Sequence, residues 1–112
     1  MVAYSIVLVI PTSTEWIEDY VPVADRLTEQ YGGKILTGSS WEQLEHSTAT
    51  EDGGFPVMPP ETIQIVIEWP NQEAAKSFMA DPEYAPFLKM RTDGSKSFHY
   101  LVQGSDIPLP SI

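Results

Sequence analysis

The chain has 112 residues, with six Lys+Arg against sixteen Asp+Glu and a formal net charge of −10. This length organises a single core that buries about two-thirds of the unfolded surface, so one domain without staples is expected. The absence of cysteine excludes disulfides, iron–sulfur clusters, thiolate zinc sites and a cysteine nucleophile. The acid excess argues against nucleic acid and anionic membrane as partners, because both need a basic footprint.

The first element is the apolar run Ile6-Val7-Leu8-Val9-Ile10, stopped by Pro11. It falls far short of the roughly 20 residues that span a bilayer, and no basic segment precedes it, so the protein reads as soluble and cytoplasmic. Its β-branched residues predict a buried strand over Val2–Ile10. Trp16, Tyr20, Ala24, Leu27 and Tyr31 then recur at helical spacing, with Pro22 predicting a kink or two short helices meeting near Val21. Gly32-Gly33 ends that helix. Lys34–Glu45 reads as a long, polar second strand. Thr62–Trp69 is the clearest strand, with Ile63, Ile65, Ile67 and Trp69 on one face and Gln64, Val66 and Glu68 on the other.

Pro70-Asn71 caps a helix over Gln72–Ala80 with Ala75, Phe78 and Met79 inward. Asp81-Pro82 restarts a short helix through about Met90. Asp93-Gly94 marks a turn, and Ser97–Gln103 alternates as the last strand, with Phe98, Tyr100 and Val102 read as core-facing. Thr48–Pro60 and the tail from Gly104 read as loops, giving one domain over residues 1–104 and a tail over 105–112. The order strand, helix, strand, strand, helix, strand predicts an α+β, ferredoxin-like fold. Its antiparallel sheet runs 4-1-3-2, with two helical regions on one face. The uncovered face is also apolar, so a homodimer joined face to face is expected, a dimeric α+β barrel. The alternative is that the tail or the long loop folds over a monomer.

Several motifs, Tyr31-Gly32-Gly33-Lys34, Ile67-Glu68-Trp69-Pro70, Glu73-Ala74-Ala75, Asp81-Pro82-Glu83-Tyr84 and Arg91, follow one another in this order. Together they resemble the small proteins grouped as domain of unknown function 1330, within the dimeric α+β barrel superfamily. The likeness runs from about Ala3 to Gly104. Two departures stand out: Thr37-Gly38-Ser39-Ser40 replaces an arginine and a Gly-Gly pair, and His46–Glu61 is longer than the family's connection. The resemblance implies the fold and the dimer. The superfamily's chemistry ranges from cofactor-independent monooxygenases and lactone isomerases to haem-degrading and plain stress proteins, and it resides in side chains lining a cleft or lumen.

Among candidate residues, Glu68 is an acid within an apolar strand, suited by desolvation to be a general base. His99 reads as sharing its face about 10 Å away, as a proton donor or orienting group. The structural alternatives are a salt bridge from Glu68 to Arg91 or Lys96 and a histidine at a surface or interface. Arg91 would grip a ligand anion or pair with an acid of the second helix. Trp16, Tyr20 and Tyr84 would wall an apolar pocket or simply fill the core, and Tyr4 offers a phenol. Neither histidine has metal-ligand spacing, so no metal and no cofactor is expected. The reading is a small-molecule-binding homodimer with cofactor-free acid/base chemistry, or a non-catalytic dimer.

Overall fold

The computed structural model describes residues 1–37, 40–45 and 58–104. Seven elements follow in chain order: β1 Ala3–Pro11, α1 Ile17–Gln30, β2 Lys34–Ile35, β3 Ile63–Trp69, α2 Gln72–Ala80, α3 Ala85–Asp93 and β4 Ser95–Gln103. The four strands form one antiparallel sheet ordered β2-β3-β1-β4, the ferredoxin-like arrangement expected from the sequence.

Register assigns each strand's two faces. Ala3, Ser5, Val7 and Val9 of β1 pair with Trp69, Ile67, Ile65 and Ile63 of β3, and with Gln103, Leu101, His99 and Ser97 of β4. Because side chains alternate along a strand, all these residues share one face. Against that face Leu27 of α1, Ala75 and Phe78 of α2, and Tyr84 at the head of α3 close over Ile67 and Trp69 as the buried core. Full burial of a side chain such as Leu27 stabilises the fold by about 1.5–3 kcal/mol. The opposite face carries Ile6, Leu8, Val66, Phe98, Tyr100 and Val102. Phe98 and Tyr100 are 50% and 56% exposed, so they are not core-facing as their alternation suggested. Both faces of the sheet are apolar, and alternation alone does not say which face the helices cover.

Three local readings also change. α1 is one helix through Pro22. That proline lies in the second turn and is exposed, as is Glu18 four residues before it, whose carbonyl loses its helical partner. β2 is two residues long, not twelve. Leu36 N–H still donates to Val66 O (2.9 Å), but the Thr37 hydroxyl then accepts from Val66 N–H (2.9 Å), replacing the next backbone rung with a side chain. Asp81 caps a turn rather than a helix: its Oδ1 accepts from Glu83 N–H at 2.7 Å, and the helix proper begins at Ala85. The α2 boundaries stand as read, with Asn71 Oδ1 accepting from Ala74 N–H at 2.8 Å. Gly32 leaves α1 with φ +81°, a conformation strained for any side chain.

The roof over the sheet is tied at both ends. Trp16 Nε1 donates to the carbonyls of Ser13 (2.8 Å) and Gly94 (3.1 Å), holding the start of α1 to the end of α3. Tyr31 donates to Asp81 Oδ2 at 2.5 Å, holding the other end of α1 to the α2–α3 turn, and Arg26 pairs with Glu83 nearby. The Tyr31 hydrogen bond lowers the Asp81 pKa and raises that of Tyr31 itself. Most of the long connection and the 105–112 tail lie outside the described residues. No helix among the described residues is long and apolar enough to cross a membrane.

Candidate functional site

A cavity of about 320 Å³ lies between α1 and the helix-facing side of the sheet. Its floor is aliphatic: Val7 and Val9 from β1, with Ile63, Ile65 and Ile67 from β3. α1 supplies the roof through Trp16, Tyr20, Val21 and Ala24, successive members of its apolar stripe. The size falls at the lower end of small-molecule pockets, which run from about 300 to 1,000 Å³.

Arg91 and two tyrosines form one polar cluster on the lining. Arg91, in the last turn of α3, is 6% exposed and reaches under α1 to Tyr20. Its Nη1 donates to Tyr20 OH at 3.3 Å, and its guanidinium carbon lies 6.0 Å from the Tyr20 ring centre. The Tyr20 and Tyr84 hydroxyls are 2.5 Å apart. Burial, then the neighbouring Tyr20, pushes the Tyr84 phenol well above its ordinary range, so it stays protonated at neutral pH. Aromatic contacts continue the cluster, Trp16 to Tyr20 at 5.4 Å edge-on and Tyr84 to Phe78 at 4.4 Å.

His99 enters from β4 opposite Val7. Burial, then the Arg91 charge, lowers its pKa to about 4, so the ring is neutral near pH 7. Behind it runs a hydrogen-bonded line. Trp69 Nε1 donates to Ser5 Oγ at 2.8 Å, and Ser5 Oγ lies 2.7 Å from His99 Nε2. An indole N–H donates only, so it occupies an acceptor position on Ser5 and leaves the serine hydrogen to be placed. Ser5 is fully buried, and among the described residues His99 Nε2 is the acceptor within reach. The network therefore assigns Ser5 as donor to Nε2, and the neutral ring carries its proton on Nδ1.

Five of the residues singled out from the sequence line this one cavity: Trp16, Tyr20, Tyr84, Arg91 and His99. Two do not. Glu68 pairs across the sheet with Tyr4 and Lys34, so Glu68 and Tyr4 both lie on the opposite face. Glu68 and His99 thus share no face, and the expected pocket between them does not exist. Their alternation was read from Phe98 and Tyr100 as inward, which inverted β4. Arg91 forms no ion pair with Glu68, with an acid of α2, or with any other carboxylate among the described residues. Sequence reasoning missed Ser5 and Trp69 as the support of His99. The available signal was a serine on the inward parity of an otherwise aliphatic strand. Among the described residues no group of three or more His, Asp or Glu side chains is placed to hold a metal.

The sheet, its order and the helices on one face define an α+β protein of ferredoxin-like class with a helix–sheet cavity. The chain belongs to the family described as Domain of unknown function (DUF1330), which it matches over residues 2–105. No curated protein matched. Among solved structures it is similar to a mutant of SnoaB, a cofactor-independent oxygenase from Streptomyces nogalater, with 15% identity, a TM-score of 0.61 and 98% of each chain covered. It is also similar to a protein of unknown function from Rhodopseudomonas palustris, with 14% identity and a TM-score of 0.64 over 94% of this chain and 84% of that one. A third likeness is to an antibiotic biosynthesis monooxygenase, at 12% identity and a TM-score of 0.50 over 95% and 99% of the two chains. At these identities the likeness is one of fold.

Proposed function

We propose that this protein binds a small, largely apolar molecule in the helix–sheet cavity, and that Tyr20, Tyr84, Arg91 and His99 are the groups that orient and act on it. The observation that carries this reading is that those four side chains line one largely apolar space of about 320 Å³, three of them linked by hydrogen bonds. The fold shared with a cofactor-independent oxygenase supports cofactor-free chemistry, in which His99 Nδ1–H would donate to a substrate oxygen while charge develops beside Arg91. A second reading, binding without turnover, is favoured by one specific observation: Glu68, the acid suited to be a base, stands on the other face of the sheet. The same proposal pairs two chains through that other face, where Phe98, Tyr100 and Val102 are exposed together.

Naphthalene-ring probes, 1-naphthamide and 1-naphthoate, test the binding by quenching of tryptophan emission. Saturable binding of one probe per chain, lost in Ala24→Trp, is expected. Absence of saturable binding by both probes refutes the reading. For the assembly, light scattering at micromolar concentration should give twice the chain mass, and Tyr100→Glu should give the monomer. A monomeric wild type overturns that part.

A further inference from the structure

Among the described residues, the guanidinium of Arg91 is a buried charge without a counter-charge. The residue is 6% exposed, its guanidinium donates to the neutral Tyr20 oxygen, and its Nε is buried with no partner among the described residues. The tyrosine hydroxyls beside it are already engaged with one another. Removing a cation from water is unfavourable unless an anion or a full set of acceptors replaces the solvent. Asp25 is the carboxylate on the cavity lining, but it is exposed on α1 and does not pair with Arg91.

His99 adds an independent observation. Its Nδ1 is also buried without a partner, and the Ser5 network places the ring proton there. Two residues that line one cavity therefore each hold a buried donor with nothing to receive it among the described residues. A buried donor left unmade loses its hydration with nothing in return, and a charged one loses the most. Beside Arg91 and His99 donors are in surplus, and apart from the two tyrosine hydroxyls, Asp25, Thr28 and Thr37 the lining is aliphatic or aromatic.

We infer that the ligand of this cavity is an apolar carboxylate, its two oxygens lying between the Arg91 guanidinium and the Nδ1–H of His99 and its hydrocarbon body on the floor of Val7, Ile63 and Ile65. This rests on the binding reading above and specifies its ligand class. A carboxylate has the planar, two-oxygen shape that matches a guanidinium fork and leaves a lone pair for the imidazole. An amide of the same outline offers one oxygen, no charge, and an NH₂ directed at groups that are themselves donors.

The test compares 1-naphthoate with 1-naphthamide by calorimetry at pH 7.5. Wild type should bind the carboxylate at least tenfold more tightly. In Arg91→Met the ratio should fall to about one while the amide still binds; Arg91→Lys, keeping charge without the fork, should fall between. Equal affinities in wild type, or a ratio unchanged in Arg91→Met, overturn the inference and leave the binding reading intact, whereas no binding of either probe overturns both. Should Arg91→Met fail to fold, wild type still decides. With two histidines in the chain, His46→Gln leaves His99 as the sole imidazole signal. That signal should move on adding naphthoate and stay within a fraction of that shift with naphthamide; equal movement overturns the inference.

Discussion

Acidification should destabilise the fold through His99, by an amount that can be worked from its surroundings. In the unfolded chain the imidazole takes up its proton near pH 6.5; in the fold, burial and then the Arg91 charge hold this back to about pH 4. Between those two values the unfolded chain binds the extra proton and the native protein does not. Stability is therefore complete above about pH 6.5 and declines as the pH falls towards 4. At 1.36 kcal/mol per pH unit the whole window amounts to about 3.4 kcal/mol. The ring is half-buried, and solvent screening at its open side reduces the expectation to about 2 kcal/mol. Urea unfolding at pH 7.5 and 4.5 measures it, with His99→Gln as the reference because its amide oxygen still accepts from Ser5. All other groups are common to both proteins, so their contributions cancel in the difference. Wild type should lose about 2 kcal/mol more than the variant; equal losses would refute both the neutral buried imidazole and the role of Arg91 in keeping it so.

Three further outcomes follow from the packing. A Cβ on Gly94 would stand 2.3 Å from Trp16 Cδ1, so Gly94→Ala should expel the indole from its two carbonyl partners. A loss of about 1–3 kcal/mol, a red shift of tryptophan emission and weaker probe binding are expected, and an unshifted spectrum would count against the indole's place at the roof. Asn71→Ala removes the cap of α2 and should cost about 1 kcal/mol in chemical unfolding, with the probe affinity unchanged. Phe78→Ala empties the contact with Trp69 and Tyr84 and should cost about 3–5 kcal/mol. Because Phe78 also borders the cavity, that variant should accept a bulkier probe than wild type does; an unchanged size limit would remove it from the lining.

Much of the fold was legible in local chemistry. The Pro70-Asn71 stop and cap delimit α2 to the residue, and the isoleucine alternation of β3 assigns both of its faces correctly. Trp16 and Tyr20 follow from the spacing of α1, because a helix that must cover a sheet directs its apolar stripe inward. The site was half legible. Its aromatic and cationic members stand out by type, but the side of the sheet occupied by His99 does not, since Ser97-Phe98-His99-Tyr100-Leu101 alternates polar and apolar in a way that argues for the wrong face. Only the pairing of His99 with Val7 decides it, and strand register is a long-range property. The short β2 was unreadable for a related reason. A single threonine hydroxyl capturing Val66 N–H ends the ladder, and nothing in the composition of Lys34–Glu45 announces that capture.

The partition of β1 and β4 into an inward set and an outward set bears on how this protein changes over evolutionary time. Odd positions of β1 build the floor beneath Arg91 and His99, while even positions form the bare surface, so substitutions can retune one without disturbing the other. A one-residue insertion or deletion has no such licence, because it would exchange the two surfaces along the remainder of the strand. Lineages of this chain should accordingly drift freely in ligand preference by substitution, and confine length changes to the segments between strands.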